Sequence, residues 1–278
     1  MSFGPLVSPE WLLENLRDPD LRVIDFRWYL LPDRKGSDEY ASGHIPGAVF
    51  VELDDVTGKG HGRHPLPKLS QFQRAMRQAG VGDRSRVVVY DDTGGSVAAR
   101  LWFLLRWFGH AEQAVLDGGI KCWDGPIERS GARTSPGDFT ARPPDPSKVL
   151  HFEDLLRLKD APIIDARLGE RYRGETEPVD PKAGHIPGAR SAPWPGNLRE
   201  DGRFKSPDDL RERFAVIGVK EGQGAVVYCG SGVNACNDLL ALELAGIHDA
   251  RLYAGSWSDW SHRDAPVATG AEPESGIS

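Results

Sequence analysis

The hexapeptide GHIPGA occurs twice in this chain, at Gly43–Ala48 and at Gly184–Ala189, and a repeat of that length so far apart makes a duplicated structural unit the first expectation. Other features recur around it in the same order. VIDFR at Val23–Arg27 answers IIDAR at Ile163–Arg167, and a helical segment from Ser70 to Gly80 answers one from Ser206 to Gly218. The strand-like runs Arg86–Tyr90 and Ala225–Tyr228 are each followed by a loop and by a helix closing near Gly109 or Gly246, and VLDGGIKCW answers LYAGSWSDW. Both Ser-initiated helices are expected to open on a serine N-cap and to stop at a C-terminal glycine. Short apolar strands alternating with amphipathic helices predict an α/β fold of two tandem domains, each an open, mostly parallel sheet flanked by helices. A chain of 278 residues suffices for two such cores. The expected boundaries are 1–136 for the first domain, 137–149 for a linker in the Pro- and Gly-rich Ser135–Lys148, 150–270 for the second domain, and 271–278 for a disordered tail.

Charge and cysteine usage narrow the function classes. A net charge of −7 and a pI near 5.6, with no basic block, argue against a general nucleic-acid binder. No apolar run is long enough to span a bilayer, and the N-terminal stretch lacks the pattern of a signal peptide. Cysteines at 122, 229 and 236 fit neither a disulfide framework nor a zinc spacing. Free thiols in a reducing, cytoplasmic setting are expected, with no metal or other cofactor, no membrane, and small molecules or proteins as partners.

One cysteine sits where chemistry is done. In AVVYCGSGVNACNDLLALELAGI, Cys229 follows an apolar strand and opens a loop broken by Gly230 and Gly232 before a helix begins. Ligands of parallel sheets gather at that end of the strands. Cys229 is either a buried structural thiol or a thiolate aimed by loop N–H groups and the positive end of the helix, which lower a thiol pKa. Aligning the copies sets Asp91 against Cys229; the charged residue implies a position facing solvent or a cleft in both, with the first copy lacking the thiol. A cysteine-dependent phosphatase needs an arginine six positions after its nucleophile, where this chain has Ala235. Dithiol exchange needs a nearer second cysteine than Cys236, which is expected in the core, as Cys122 is expected to be structural.

The two GHIPGA boxes, the linker, Asp91, WYL at Trp28–Leu30 and CGSGV at Cys229–Val233 together resemble the tandem-domain rhodanese superfamily of sulfurtransferases, and more closely its 3-mercaptopyruvate branch, from Leu6 to about Val267. The resemblance implies a rhodanese fold, an inactive N-terminal domain and a persulfide on Cys229. A small-molecule donor would supply the sulfur, with cyanide, a small thiol or a thioredoxin-like protein accepting it. It further implies that Gly230, Ser231, Gly232, Val233 and Asn234 form the binding loop, Asn234 standing where the family usually has Thr, and that Trp28 belongs to the site. Arg171 matches the family's carboxylate-binding arginine, the alternative being a solvated helix charge. The second arginine usual in that branch is missing from GETEPVDPKAGH, where Lys182 is the available base. The family's relay maps onto Ser231, His64 in GRHPLP and Asp54 in VELDDV, with His61 close by; His44 and His185, shared by both boxes, are expected to be structural. Trp28, Asp54 and His64 are expected to come from the first copy to a cysteine in the second. Neutral Gly230 and Ser231 favour 3-mercaptopyruvate over thiosulfate, whose specialised enzymes place cations there. A thiosulfate:cyanide sulfurtransferase is the alternative enzyme, and a noncatalytic sulfur-carrier or interaction protein the alternative of another class.

Overall fold

The computed structural model describes residues 3–132 and 134–271. Among them, strands β1 (Leu6–Val7), β2 (Leu21–Asp25), β3 (Val49–Phe50), β4 (Arg86–Tyr90) and β5 (Gln113–Leu116) form one sheet in the order β1-β5-β4-β2-β3. Strands β6 (Val149–Leu150), β7 (Ile163–Asp165), β8 (Arg190–Ser191), β9 (Val226–Tyr228) and β10 (Arg251–Tyr253) form a second in the order β6-β10-β9-β7-β8. The two orders are the same, and every pairing is parallel. Val87–Tyr90 and Val226–Tyr228 are buried along their lengths, as central strands covered by helices on both faces must be. No helix among the described residues is long and apolar enough to cross a membrane.

The repeated motifs recur because they bond to one another. In the first unit Asp25 holds Arg27 in a buried ion pair, Arg27 Nη2 donates to Gly43 O at 2.9 Å, and the Tyr90 hydroxyl donates to Asp25 at 2.7 Å while accepting the Ile45 N–H at 3.2 Å. The second unit repeats this with Asp165 and Arg167, Gly184 O at 2.6 Å, and Tyr228 accepting the Ile186 N–H at 3.1 Å. His44 and His185 stack on Tyr40 and Tyr172 at 3.8 and 3.7 Å, each Nδ1 lying 2.8 Å from that tyrosine's carbonyl. Both histidines are therefore structural. The last glycine of each box takes a left-handed φ, 76° at Gly47 and 79° at Gly188, which a β-carbon would strain.

The chain separates into two compact units, the first of Met1–Gly58, Leu66–Pro144 and Arg199–Phe204, the second of Lys59–Pro65, Asp145–Leu198 and Lys205–Ser278. Residues 137–144, expected within the linker, belong to the first unit. Phe139 is buried against Phe72, and the N–H groups of Gly137, Phe139 and Arg142 bond to Arg77, Val81 and Phe108. The segment lacks periodicity because two apolar residues, Phe139 and Ala141, suffice to anchor it. The tail expected at 271–278 lies, beyond Ala271, outside the described residues. Ser206 caps the helix Pro207–Val216 as expected, accepting the Asp209 N–H at 3.2 Å. Its counterpart Leu69–Gln78 begins before Ser70, with Lys68 as N-cap, because Phe72 and Met76 fix its buried face and Gln71 and Phe72 donate to Lys68 O. Both helices stop at left-handed glycines, Gly80 and Gly218.

Beneath the Cys229 loop, the helix Ala235–Leu244 carries a buried carboxyl, Asp238. It accepts one N–H from Asn197 at 2.5 Å, while its Oδ2 has no partner. Burial pushes its pKa up to about 7, against the smaller pulls of Asn197 and Arg213. A folded-state pKa above the unfolded one means that the native protein binds the proton more tightly, so this stability is fully present below the ordinary value of 3.8 and is lost as pH rises from there to about 7. We expect thermal unfolding to shift downward between about pH 4 and pH 7, the window set by this carboxyl, and Asp238→Asn to flatten that shift. An equal shift in the variant assigns the pH dependence to other groups.

Candidate active site

Cys229 opens the loop at the carboxyl end of β9 and is only 2% exposed. Of the two settings the copy alignment implied, solvent or a cleft, open solvent is not what either unit has: Asp91 is fully buried as well. The reason is visible in the first unit, where the Asp91 carboxylate accepts the N–H groups of Thr93, Gly95, Val97 and Ala98 at 2.8–2.9 Å. The loop is an anion cradle, and a charge inside it needs no water. In the second unit the Cys229 sulfur accepts the Gly232 N–H at 3.2 Å, and Gly232 matches Gly95 in its left-handed φ, 79° against 82°. Val233 is buried in the loop, and Asn234 stands at the N-cap of the following helix without making a side-chain cap. Cys236 is buried with its thiol toward Gly232 O at 3.4 Å, and Cys122 donates to Asp201 O at 3.2 Å.

The loop is held from below by the turn after β10. Trp257 and Ser258 donate their N–H groups to the carbonyls of Cys229 and Gly230 at 3.0 and 2.8 Å, and the Ser256 hydroxyl accepts the Cys229 N–H at 3.2 Å. Ser256 has φ 53°, where the first unit has Gly119 at φ 60°. A serine there costs about 1–3 kcal/mol of backbone strain, and what it provides is the hydroxyl under Cys229. Sequence comparison aligned these segments without marking Ser256, although a glycine in the matching place signals the left-handed turn.

A short segment of the second unit, Lys59–Pro65, completes the surroundings. His64 Nδ1 lies 2.8 Å from Ser231 Oγ, so two members of the expected relay meet and His61, which is exposed, is set aside. Asp54 belongs to the first unit, exposed on the 3-10 turn Leu53–Val56, and its carboxylate makes no hydrogen bond among the described residues. Trp28 is also in the first unit, half-buried just past β2. Gly62 crosses close to Gly255, whose carbonyl would sit 2.8 Å from a β-carbon there, and the Arg63 N–H donates to Ser258 Oγ at 3.0 Å.

The basic side chains are arranged in a way the sequence did not disclose. Arg171 gives its Nε and Nη2 to Glu177, at 2.6 Å for the shortest contact, and Nη2 also reaches Asp180 at 3.4 Å. Glu177 in turn accepts Arg167 at 3.3 Å and the N–H groups of Val179 and Asp180 at 3.1 Å. Asp180 forms an ion pair with Arg63. Burial pushes the Asp180 carboxyl up, outweighing the pull of Arg63. Lys182 is turned elsewhere, donating to Arg263 O at 2.7 Å. A β-carbon on Gly230 would lie 2.9 Å from Arg63 Nη2 and 3.4 Å from Arg171 Nη1. Two guanidinium groups therefore border the residue after the cysteine. Arg63 carries no sequence signal for this role, because it lies 117 residues from its partner Asp180.

For the turn under Cys229, we expect Ser256→Ala to cost about 1–3 kcal/mol, since it keeps the strained φ and leaves a buried N–H unpaired. Ser256→Gly should cost less, because it removes the strain. Urea denaturation of both variants checks the order; Ala equal to or more stable than Gly would contradict it.

Comparison with known proteins follows the duplication. The rhodanese-like domain family matches at residues 8–125 and again at 151–263. A probable 3-mercaptopyruvate sulfurtransferase from Pseudomonas aeruginosa is 42% identical over 284 residues, covering 97% of this chain and 100% of the relative. A putative thiosulfate sulfurtransferase, SseB of Mycobacterium tuberculosis, is 40% identical over 258 residues and 88% of each chain. Among solved structures, SseA of Escherichia coli, described as a 3-mercaptopyruvate sulfotransferase with the rhodanese fold, superposes with a TM-score of 0.83 at 35% identity, covering 91% of this chain and 99% of that one.

Proposed function

This chain belongs to the rhodanese family and is a sulfurtransferase, and we propose that it takes a sulfane sulfur from 3-mercaptopyruvate onto Cys229 and passes it to cyanide, a small thiol or a reduced thioredoxin-like protein. The observation that carries the reading is the cradle around Cys229, with the Ser231–His64 pair beside it. The Cys229 thiolate attacks the sulfur of 3-mercaptopyruvate, a sulfur–sulfur bond forms, and the carbon–sulfur bond breaks with its electron pair going to carbon. The pyruvate enolate so formed takes a proton from the Ser231 hydroxyl, which His64 re-protonates. The acceptor then attacks the outer sulfur, and Cys229 leaves as the thiolate.

Asp91 supports the persulfide. Its carboxylate oxygens stand the same number of bonds from Cβ as the outer sulfur of a cysteine persulfide, and there the first unit's loop directs its N–H groups. The helix begins at Ala98 in one unit and Ala235 in the other, so the second loop is one residue shorter (98 − 91 = 7 against 235 − 229 = 6) and closes around a larger sulfur. We place the protein in the cytoplasm, where its free thiols stay reduced. A second reading, transfer from thiosulfate, is favoured by the SseB relative.

Cys229→Ser should abolish turnover with the fold intact, and intact-mass spectrometry should find one added sulfur on the wild type after donor treatment and none on the variant. Turnover by the variant would remove Cys229 from the mechanism. The wild type should use 3-mercaptopyruvate with a kcat/KM at least about tenfold that for thiosulfate, about 1.4 kcal/mol in the transition state. Ser231→Ala should slow the mercaptopyruvate reaction more than the thiosulfate one, because only the former generates an enolate. Thiosulfate preferred by the wild type would establish the second reading.

A further inference from the structure

The bidentate edge of a guanidinium carries Nε and Nη2, and that edge is used when Arg27 grips Asp25, when Arg167 grips Asp165 and when Arg171 grips Glu177. The edge of Arg171 is therefore engaged inside the protein, leaving Nη1 toward Gly230. Arg63 is oriented the other way. Its Nη1 is the atom paired with Asp180, its Nε is buried without a hydrogen-bond partner, and its Nη2 is the atom that lies 2.9 Å from a β-carbon built on Gly230. A buried donor left unpaired costs free energy that an incoming oxygen would recover.

Resting on the sulfurtransferase reading above, we propose that Arg63, not Arg171, is the principal anchor of the donor's carboxylate, receiving it on Nη2 beside Gly230 while Arg171 adds one N–H from Nη1. Asp180 is the positioning residue that turns Nη2 toward Gly230 by holding Nη1. Glycine at position 230 leaves both guanidinium groups undisturbed, since a β-carbon there would press on Arg63 Nη2. The arginines are not surplus charge: Arg63, Arg167 and Arg171 are matched by Asp165, Glu177 and Asp180. A site so balanced suits one planar monoanionic carboxylate better than the compact dianion of thiosulfate. The anchor Arg63 is also adjacent to His64, the partner of Ser231, so one segment aligns the carboxylate with the Ser231 hydroxyl.

The test uses the full chain, 3-mercaptopyruvate as donor, and pyruvate as a non-reacting carboxylate probe. Arg63→Ala should raise the KM for 3-mercaptopyruvate and the inhibition constant of pyruvate at least about tenfold, with kcat reduced far less. Arg63→Lys, which keeps the charge without the fork, should recover only part of the loss. Arg63→Asp should be as impaired as Arg63→Ala, and the double variant Arg63→Asp with Asp180→Arg, which returns a guanidinium to the same place from the other segment, should regain affinity for pyruvate. Circular dichroism and a wild-type thermal transition report that each variant has folded. If Arg63→Ala keeps wild-type KM and pyruvate inhibition, the anchor is Arg171 and the proposal is overturned while the sulfurtransferase reading stands. If the wild type neither turns over 3-mercaptopyruvate nor is inhibited by pyruvate, the donor reading fails and the proposal with it.

Discussion

A series of alternating charges runs from β7 to the loop of Cys229: Asp165, Arg167, Glu177, Arg171, Asp180, Arg63. Its inner half is fully buried, and such charges persist away from water only when each is paired and hydrogen-bonded. The pairing constrains everything built on it. Arg167 reaches the GHIPGA box through Gly184 O, so the box, the strand and the site share one lattice. Removing a single member strands its neighbour's charge, which costs several kcal/mol, about 3–5 for a buried pair. The first unit has the inner pair, Asp25 and Arg27, and the same contact to its box through Gly43 O. Beyond that pair the first unit bonds differently: Tyr29, Arg34 and Asp92 bond to one another, and Arg34 also pairs with Glu39.

The duplicated fold was readable because its repeated residues are mutual contacts. Asp25 and Tyr90 lie opposite each other in register, as do Asp165 and Tyr228, so a sequence that keeps one end of the lattice keeps the other. The strand, loop and helix around Cys229 were readable for a local reason, a β-branched run broken by glycines before a leucine-rich helix. What could not be read depends on contacts between distant segments. The burial of Asp91 looked improbable for a carboxylate, and only the convergence of loop N–H groups explains it. Arg63 sits next to His64 in a loop with no periodicity, and its pairing with Asp180 joins residues 117 positions apart, one from each sequence copy. Ser256 differs from any other serine only in its φ.

The two copies of the loop now read as two answers to one electrostatic problem. Backbone N–H groups gathered at the end of a strand, at the start of a helix, favour an anion at their centre. In the first unit Asp91 supplies it permanently, and with its donors at 2.8–2.9 Å the cradle has no room or need for a ligand. In the second unit a thiol stands in the same place with the Gly232 N–H at 3.2 Å, a longer contact to a larger and more polarizable atom. The substitution of one residue thus separates a loop whose N–H groups are satisfied by four bonds to its own carboxylate from one in which a single N–H reaches a sulfur, and the shared strand, loop and helix accommodate either.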